Sequence, residues 1–504
     1  MRAQGRRRRG RLFWKVVLGI VVALGVFVAV DFDWSGKGTP PPTEIIEYDG
    51  HQWVVTRNEY LRARGLDIED VPPEENAALD YAIAGQMLPG FPSGEQWKVA
   101  ETQERYVLEY GWSDKCDVLR EYVGACEPAL ERVRIGLTKT RVRWPVRMED
   151  DLLVNTVLPG LSGMRPLSRA FLCTGRLAVS EGRHHKAVEC FVAPLQVGNH
   201  TALGPSLLHG LAGIAVNDLA FDALERWILS GPPPDLLREA LERIRKFEKG
   251  KPDYLRALRA ERAQWLDVVR SFGKFRMASA RELAAVAGPL FGRSRLMRGV
   301  VRRKLNAAYD RIEKWAALEG RSKYRLGPEF CDQMAFDVAE DWHTADFSWA
   351  FCDEFWQYTT FVRNNLRYAA VQVRIGLALY RAEHGRYPDQ LEAIKSYLGQ
   401  TPLDPFTDEP FLYRREGDEY VFYSVGPNLI DEGGKDRRRD KTRFLSRFWG
   451  TTGLGPFGLE GEEDDTDDPF FPSDLAAPPP FEEFMKHKGR RPDEGWSMER
   501  EAER

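Results

Sequence analysis

An apolar run from Leu12 to Val30, directly behind Arg2, Arg6, Arg7, Arg8, Arg9 and Arg11, constrains this chain more than any other feature. Hydrocarbon offers no partner to a backbone N–H or C=O, so an apolar segment in a bilayer must satisfy its own hydrogen bonds as a helix. The 19 residues of the run rise about 28 Å, close to the thickness of a bilayer core. Lys15 lies near enough to one end for its ammonium group to reach the headgroups. A cleaved leader would have a shorter apolar core and a small-x-small site after it; Asp31, Phe32, Asp33 and Trp34 follow instead. We therefore expect an uncleaved anchor over 12–30, a cytoplasmic basic segment over 1–11, and the bulk of the chain outside. The lipid bilayer is the first expected partner.

The 504 residues are enough for two or three domains with real cores, and the 43% hydrophobic share is that of a globular protein. A net charge of −4, from 72 basic and 76 acidic residues, gives no footprint for nucleic acid. The six cysteines fall in pairs: Cys116 and Cys126, Cys173 and Cys190, Cys331 and Cys352. Outside the cytoplasm such pairs invite disulfides, while buried free thiols are the alternative. None has the CxxC spacing of a zinc or redox site.

Residues 31–50 form a linker, Gly/Pro-rich from Ser35 to Glu44, and 51–147 is a mixed region. Its first forty residues are expected to be irregular and its later part helical, including a run from Val107 to Val123. Residues 148–365 are expected to form a body of helical hairpins. In "PLSRAFLCTGRLAVSEGRHHKAVECFVAPLQVGN", Leu167, Ala170, Phe171, Leu177 and Ala178 recur at helical spacing before a turn at SEGRH. Ala187, Val188, Phe191, Val192 and Leu195 then resume it. This hairpin resembles one tetratricopeptide-like repeat, in a single persuasive copy where an array needs three or more. Cys173 and Cys190 lie about equally far from its turn, so a bridge between them is geometrically open.

Basic residues from Lys274 to Lys304 mark a further helix, expected to turn Leu296, Val300 and Leu305 to the core. The aromatic stretch from Phe336 to Phe361 is expected to fill a helix–helix core rather than line a ligand groove. Residues 450–504, acidic, proline-rich and poor in aliphatics, are expected to be a disordered tail or docking arm.

Nucleophile elbows, P-loops and HExxH helices are all absent from the sequence. His184 and His185 are adjacent at a helix start and point to different faces. The best acid/histidine cluster is Asp337, Glu340, Asp341 and His343, where Asp337 and Asp341 share a helix face. A hydrolase would use Asp337, Asp341 and His343; hydrogen-bonded structural groups are the plainer expectation.

The remaining feature is "YRAEHGRYP", Tyr380 to Pro388. An apolar helix should stop at His384 and Gly385, and Pro388 should hold Tyr387 extended. Short helical turns in "DQLEAI" are expected next, then two strands around a turn at REGDE, with Phe411, Tyr413, Val421 and Tyr423 on one face. The order of "YRxxxGRYP", "PxDPFxxEPFxY", "YxxYSxGPN" and an acidic glycine-rich loop, within Leu366 to Asp436, resembles the C-terminal domain of the major pseudopilin of type II secretion. The resemblance implies a small α+β module over 366–445 and a structural calcium in the last loop. Asn428, Asp431 and Asp436 occupy the matching positions, with Asn428 where an aspartate is usual. A pseudopilin carries a glutamate at the fifth position of its N-terminal helix; "GRLFWKVV" has none, and about 330 residues separate anchor from module. The chain is therefore not an ordinary pilus subunit. It is similar instead to large families of uncharacterised anchored bacterial proteins with this module behind a helical body.

The expected fold is mainly α: a transmembrane helix, a helical-hairpin body, a small α+β module and a disordered tail. The expected function is that of a non-enzymatic, partner-binding scaffold on the outer side of the bacterial inner membrane, with unknown envelope proteins as partners. An accessory component of a secretion or envelope-assembly system and a hydrolase are the alternatives.

Overall fold

A computed structural model describes residues 40–90, 95–270, 294–318, 354–431, 433, 470–472 and 481–486, with isolated positions between 321 and 337. The basic segment 1–11, the apolar run 12–30, Cys331 and Cys352 lie outside the described residues.

The described chain begins with an antiparallel hairpin, β1 (Thr43–Tyr48) and β2 (His51–Thr56), in which Ile45 faces Val54 and Ile46 faces Trp53. Its two-residue turn, Asp49 and Gly50, has positive φ at both positions (50° and 74°), which suits the right-handed twist of the strands. Ile46, Trp53 and Val55 are buried against Leu79, Ala82 and Ile83. The expected irregular backbone is thus corrected, because an alternating pattern and an Asp-Gly turn are enough to close a hairpin.

Helix α1 (Asn58–Arg62) and helix α2 (Ala77–Met87) follow, α2 capped by the Asn76 side chain, which accepts from Ala78 N. Next come α3 (Glu95–Tyr110) and α4 (Asp117–Leu137). The run expected from Val107 to Val123 is broken at Gly111, whose φ of +105° ends α3. A short pair, β3 (Arg147–Met148) with β4 (Thr156–Val157), leads into the hairpin α5 (Met164–Ser180) and α6 (His184–Ala202). Helix α7 (Leu207–Leu229), α8 (Pro234–Glu248), α9 (Tyr254–Arg270), α10 (Arg295–Ala316) and the long α11 (Glu354–His384) complete the helical body. The C-terminal part holds α12 (Lys395–Leu398), the pair β5 (Leu403–Asp404) and β6 (Glu409–Pro410), and the strands β7 (Leu412–Glu416) and β8 (Glu419–Tyr423). Two pieces of the tail follow, β9 (Phe470–Pro472) and α13 (Phe481–Lys486). The described chain is therefore mainly helical with a few small strands.

One core runs through the body and on into the C-terminal strands, from Leu172 through Phe221, Trp227, Tyr309 and Tyr368 to Phe406 and Phe422. Phe355, Tyr358 and Phe361 of the aromatic stretch are buried in it. The boundary expected at 365/366 falls inside α11, which serves both parts. Helix α7 is long and apolar enough to cross a membrane, but 56% of its apolar window is buried inside the molecule and it packs against α6 and α11. On α10, Leu305 is buried as expected, whereas Leu296 is 57% exposed.

Cys173 and Cys190, between which the α5–α6 hairpin leaves a bridge geometrically open, are buried free thiols. Cys190 lies against Gly175, where a Cβ would come within 3.1 Å of its own. Cys173 instead lies in the field of Glu104, Arg169 and Cys126. Equal height in a hairpin does not aim two side chains at each other. Burial pushes the Cys190 thiol up to about 12, which makes it a poor nucleophile.

The crossing of α6 and α7 is unusually close. A Cβ on Gly213 would lie 2.3 Å from the Gly198 carbonyl oxygen and 2.9 Å from the Ala202 backbone nitrogen. Beside this contact Asn217 donates to Asn199 (3.1 Å) and Asn364 (3.0 Å), and Asn199 donates to the Phe247 carbonyl (2.7 Å). Four helices are tied through these buried amides, because a polar group inside a core must find a partner. Gly213→Ala should cost at least about 1–3 kcal/mol, since backbone must move to make room. A chemical-denaturation midpoint unchanged from the parent would show that the helices separate freely.

Candidate functional site

The C-terminal module is where the residues singled out from sequence and the unexpected structure meet. Its position is set by the end of α11. Gly385, at φ +74°, takes the left-handed conformation, and its N–H donates to the Arg381 carbonyl at 2.8 Å. The chain then leaves extended through Tyr387 and Pro388. The Tyr413 hydroxyl on β7 donates to the Pro388 carbonyl (2.6 Å), fixing the junction to the sheet.

Tyr387 meets Tyr420 edge-on at 4.5 Å, and the Arg381 guanidinium lies 4.9 Å over the Tyr387 ring while donating to its hydroxyl (3.1 Å). Arg374, only 1% exposed, donates to the Tyr420 hydroxyl at 3.2 Å. Burial pushes the Tyr420 phenol up to about 12, so it stays protonated and neutral beside the arginine. Gly376 lets Ile394 and Leu398 approach α11, since a Cβ there would sit 3.1 Å from both side chains. The YRAEHGRYP stretch is thus a helix stop and a clamp on the sheet, and its polar groups are committed to each other.

Strands β7 and β8 pair with Tyr413 opposite Phe422 and Glu416 opposite Glu419, around a two-residue turn at Gly417 and Asp418. Gly417 has φ +64°. The expected grouping of Phe411, Tyr413, Val421 and Tyr423 is corrected by this register. Tyr413 shares its face with Tyr420 and Phe422, and Val421 lies opposite Arg414 on the other. A side-chain period of two moves every residue across the sheet when the turn shortens by an odd number.

The last loop closes on itself. Asn428 Oδ1 accepts from Ile430 N (3.0 Å), and Asp431 Oδ1 accepts from the Tyr423 hydroxyl (3.0 Å) and Gly433 N (2.9 Å). These oxygens are spent on the turn rather than converged on a point, and Asp436 lies outside the described residues. Among the described residues no group of three or more His, Cys, Asp or Glu side chains is placed to hold a metal ion.

The chain was compared with family models, curated proteins and solved structures. None matches it.

Of the acid/histidine cluster, Asp337 is described, and it accepts from Arg311 (2.9 Å) and Gln333 (2.6 Å) at the surface. Hydrogen bonds from Arg311 and Gln333 hold its carboxyl below the usual range. Asp341 and His343 lie outside the described residues. His185 is exposed and pairs with Glu239 at 2.9 Å.

What the sequence reading missed is on the outer edge of β8. Strand β9, from the tail expected to be disordered, pairs with it antiparallel: Val421 with Pro472, Phe422 with Phe471 and Tyr423 with Phe470. The helix that follows, α13, packs on α3, with Phe481 edge-on to Tyr106 at 5.0 Å and Glu482 paired with Lys115. A signal was present: "PFFP" sets two aromatics between two prolines just after an acidic block. Low aliphatic content rules out a core, but strand pairing needs only backbone.

Proposed function

We propose that the chain is a membrane-anchored, extracytoplasmic scaffold without catalytic activity of its own, which binds partner proteins through its C-terminal module. The observation that carries this reading is the sheet edge. Strand β8 accepts an extended segment from 47 positions further along the chain, in the manner of strand addition. Tyr420, Val421, Phe422 and Tyr423 are all buried, so β8 is a rigid template rather than a fraying edge. The apolar run at 12–30 supports placement at a membrane, and the pseudopilin resemblance favours an envelope assembly as the source of partners.

In-cell photocrosslinking from single positions tests this. A crosslinker at Glu419, exposed at the start of β8, should capture defined proteins from the envelope. One at Ile135, which is 43% exposed on α4, should not capture them. Identical capture from both positions would count against the module as the binding part.

A further inference from the structure

We infer that the outer edge of β8 and the face formed by Tyr106 of α3 and Lys115 of the α3–α4 connection form one docking surface for an acidic, aromatic segment that is extended and then helical. The chain's own residues 470–472 and 481–486 are its resident occupant, displaced when a partner segment of the same chemistry binds. This rests on the scaffold reading above and adds the kind of partner and the device that guards the site.

Both contacts made by the tail are weak. Strand β9 is three residues long, and Pro472, opposite Val421, has no N–H to give to the ladder. Helix α13 has six residues, well short of what is stable alone. The Lys115 and Glu482 side chains are 59% and 61% exposed, and an ion pair that open to solvent adds little. Among the described residues of the tail, Phe481 supplies an apolar anchor, packed from outside against the core around α3 and α4.

The two contacts belong to one surface. Pro472 and Phe481 are nine positions apart, and an extended chain covers at most about 3.3–3.6 Å per residue, so the anchor points lie within roughly 30 Å. Covalent connection makes the weak occupant effective, because it meets β8 as part of the same chain and not as a second molecule. A strand held mainly by its tether protects an otherwise open row of backbone donors and acceptors from indiscriminate pairing. It yields to a partner that binds with more contacts. Among the described residues, the buried members of the four core clusters all lie outside the tail.

The probe is a fluorescent peptide of residues 461–488, titrated into detergent-solubilised protein. A chain ending at residue 465 should bind it at least tenfold more tightly than the intact chain, because the resident segment no longer competes. Adding Tyr106→Ala and Lys115→Glu to the shortened chain should reverse most of that gain. Equal binding to shortened and intact chains overturns the inference, as does no binding to a shortened chain whose thermal melt matches the parent. If the shortened chain does not fold, the intact chain carrying Phe481→Ala and Glu482→Lys takes its place. Its peptide binding should rise severalfold, and an unchanged titration again overturns the inference. Crosslinks from Glu419 that persist when the peptide tests fail leave the scaffold reading standing and remove only the resident tail.

Discussion

Lowering the pH from 7.5 to 4.5 should destabilise this protein steeply, and two buried histidines should account for most of the loss. His200 lies beneath Tyr81, whose hydroxyl is 2.7 Å from Nδ1, and its backbone carbonyl accepts from Trp144 Nε1 at 2.9 Å. His209 sits against the Trp144 ring, with Ser206 Oγ 2.8 Å from its Nδ1. Burial lowers His200 to about 4 and His209 to about 3. Among the described residues no carboxylate hydrogen-bonds to either ring, and burial raises Tyr81 well above its ordinary value, so that phenol stays neutral.

The sign follows from proton counting. Above pH 6.5 both rings are neutral folded or unfolded, and neither contributes a pH dependence. As the pH falls below 6.5, the unfolded chain takes up protons that the folded one refuses, so folding stability declines. Each histidine withdraws about 1.4 kcal/mol per pH unit until its folded value is reached. Two such groups draw heavily on a stability of only about 5–15 kcal/mol. Asp151, lowered to about 2 with Arg64 and Tyr60 hydrogen-bonded to it, loses its contribution only below about pH 4, outside this window. Thermal unfolding at half-unit pH intervals measures the slope. The double variant His200→Gln, His209→Gln should be less stable at pH 7.5 yet much flatter below 6.5. The parent slope surviving in that variant would assign the acid sensitivity elsewhere.

Sequence patterns located elements well where a local signal decides them. The α5–α6 hairpin, the stop at Gly385 and the strands β7 and β8 all follow from periodicity and turn chemistry that a few residues set. Register was less accessible. "REGDE" permits a five-residue turn or the two-residue turn at Gly417 and Asp418, and choosing between them exchanges the faces of Val421 and Phe422. The continuous core was hidden for another reason: motif limits suggested a boundary at 365/366, whereas α11 packs on both sides of it. The bond between Asn199 and Asn217, and that between Asn217 and Asn364, join residues far apart in sequence, with 147 positions in the second case. No local pattern reports such a pairing. Strand β9 escaped notice because composition speaks to cores and says little about backbone pairing.

Asp80 was legible in part. "NAALDYAIAGQM" places one carboxylate in a helix apolar on nearly every side, and such a charge must find cations wherever the fold can bring them. The fold brings Arg132 to 2.8 Å and Lys139 to 2.6 Å of the Asp80 carboxylate, which is fully buried. The Tyr48 hydroxyl donates to Asp80 Oδ1 at 3.1 Å and accepts from Lys139 Nζ at 2.9 Å. One carboxylate thus joins β1, α2, the end of α4 and the residues after it. Asp80→Ala should cost about 3–5 kcal/mol, because two mostly buried cations lose their buried counter-charge together and Arg132 keeps only the exposed Asp49. The hairpin β1–β2, which comes directly after the spacer expected to lead to the membrane, should loosen first. Limited proteolysis between 43 and 56 should therefore quicken in the variant even where the rest of the body stays folded. Replacing the set with apolar groups, Asp80→Leu with Arg132→Met and Lys139→Met, should recover most of the lost stability, since removing all the charges removes the need to pair them. A cost below about 1 kcal/mol for Asp80→Ala would mean that water reaches the cations. The hairpin would then be held to the body by the burial of Ile46, Trp53 and Val55 and by bonds such as that from Thr56 N to the Val146 carbonyl.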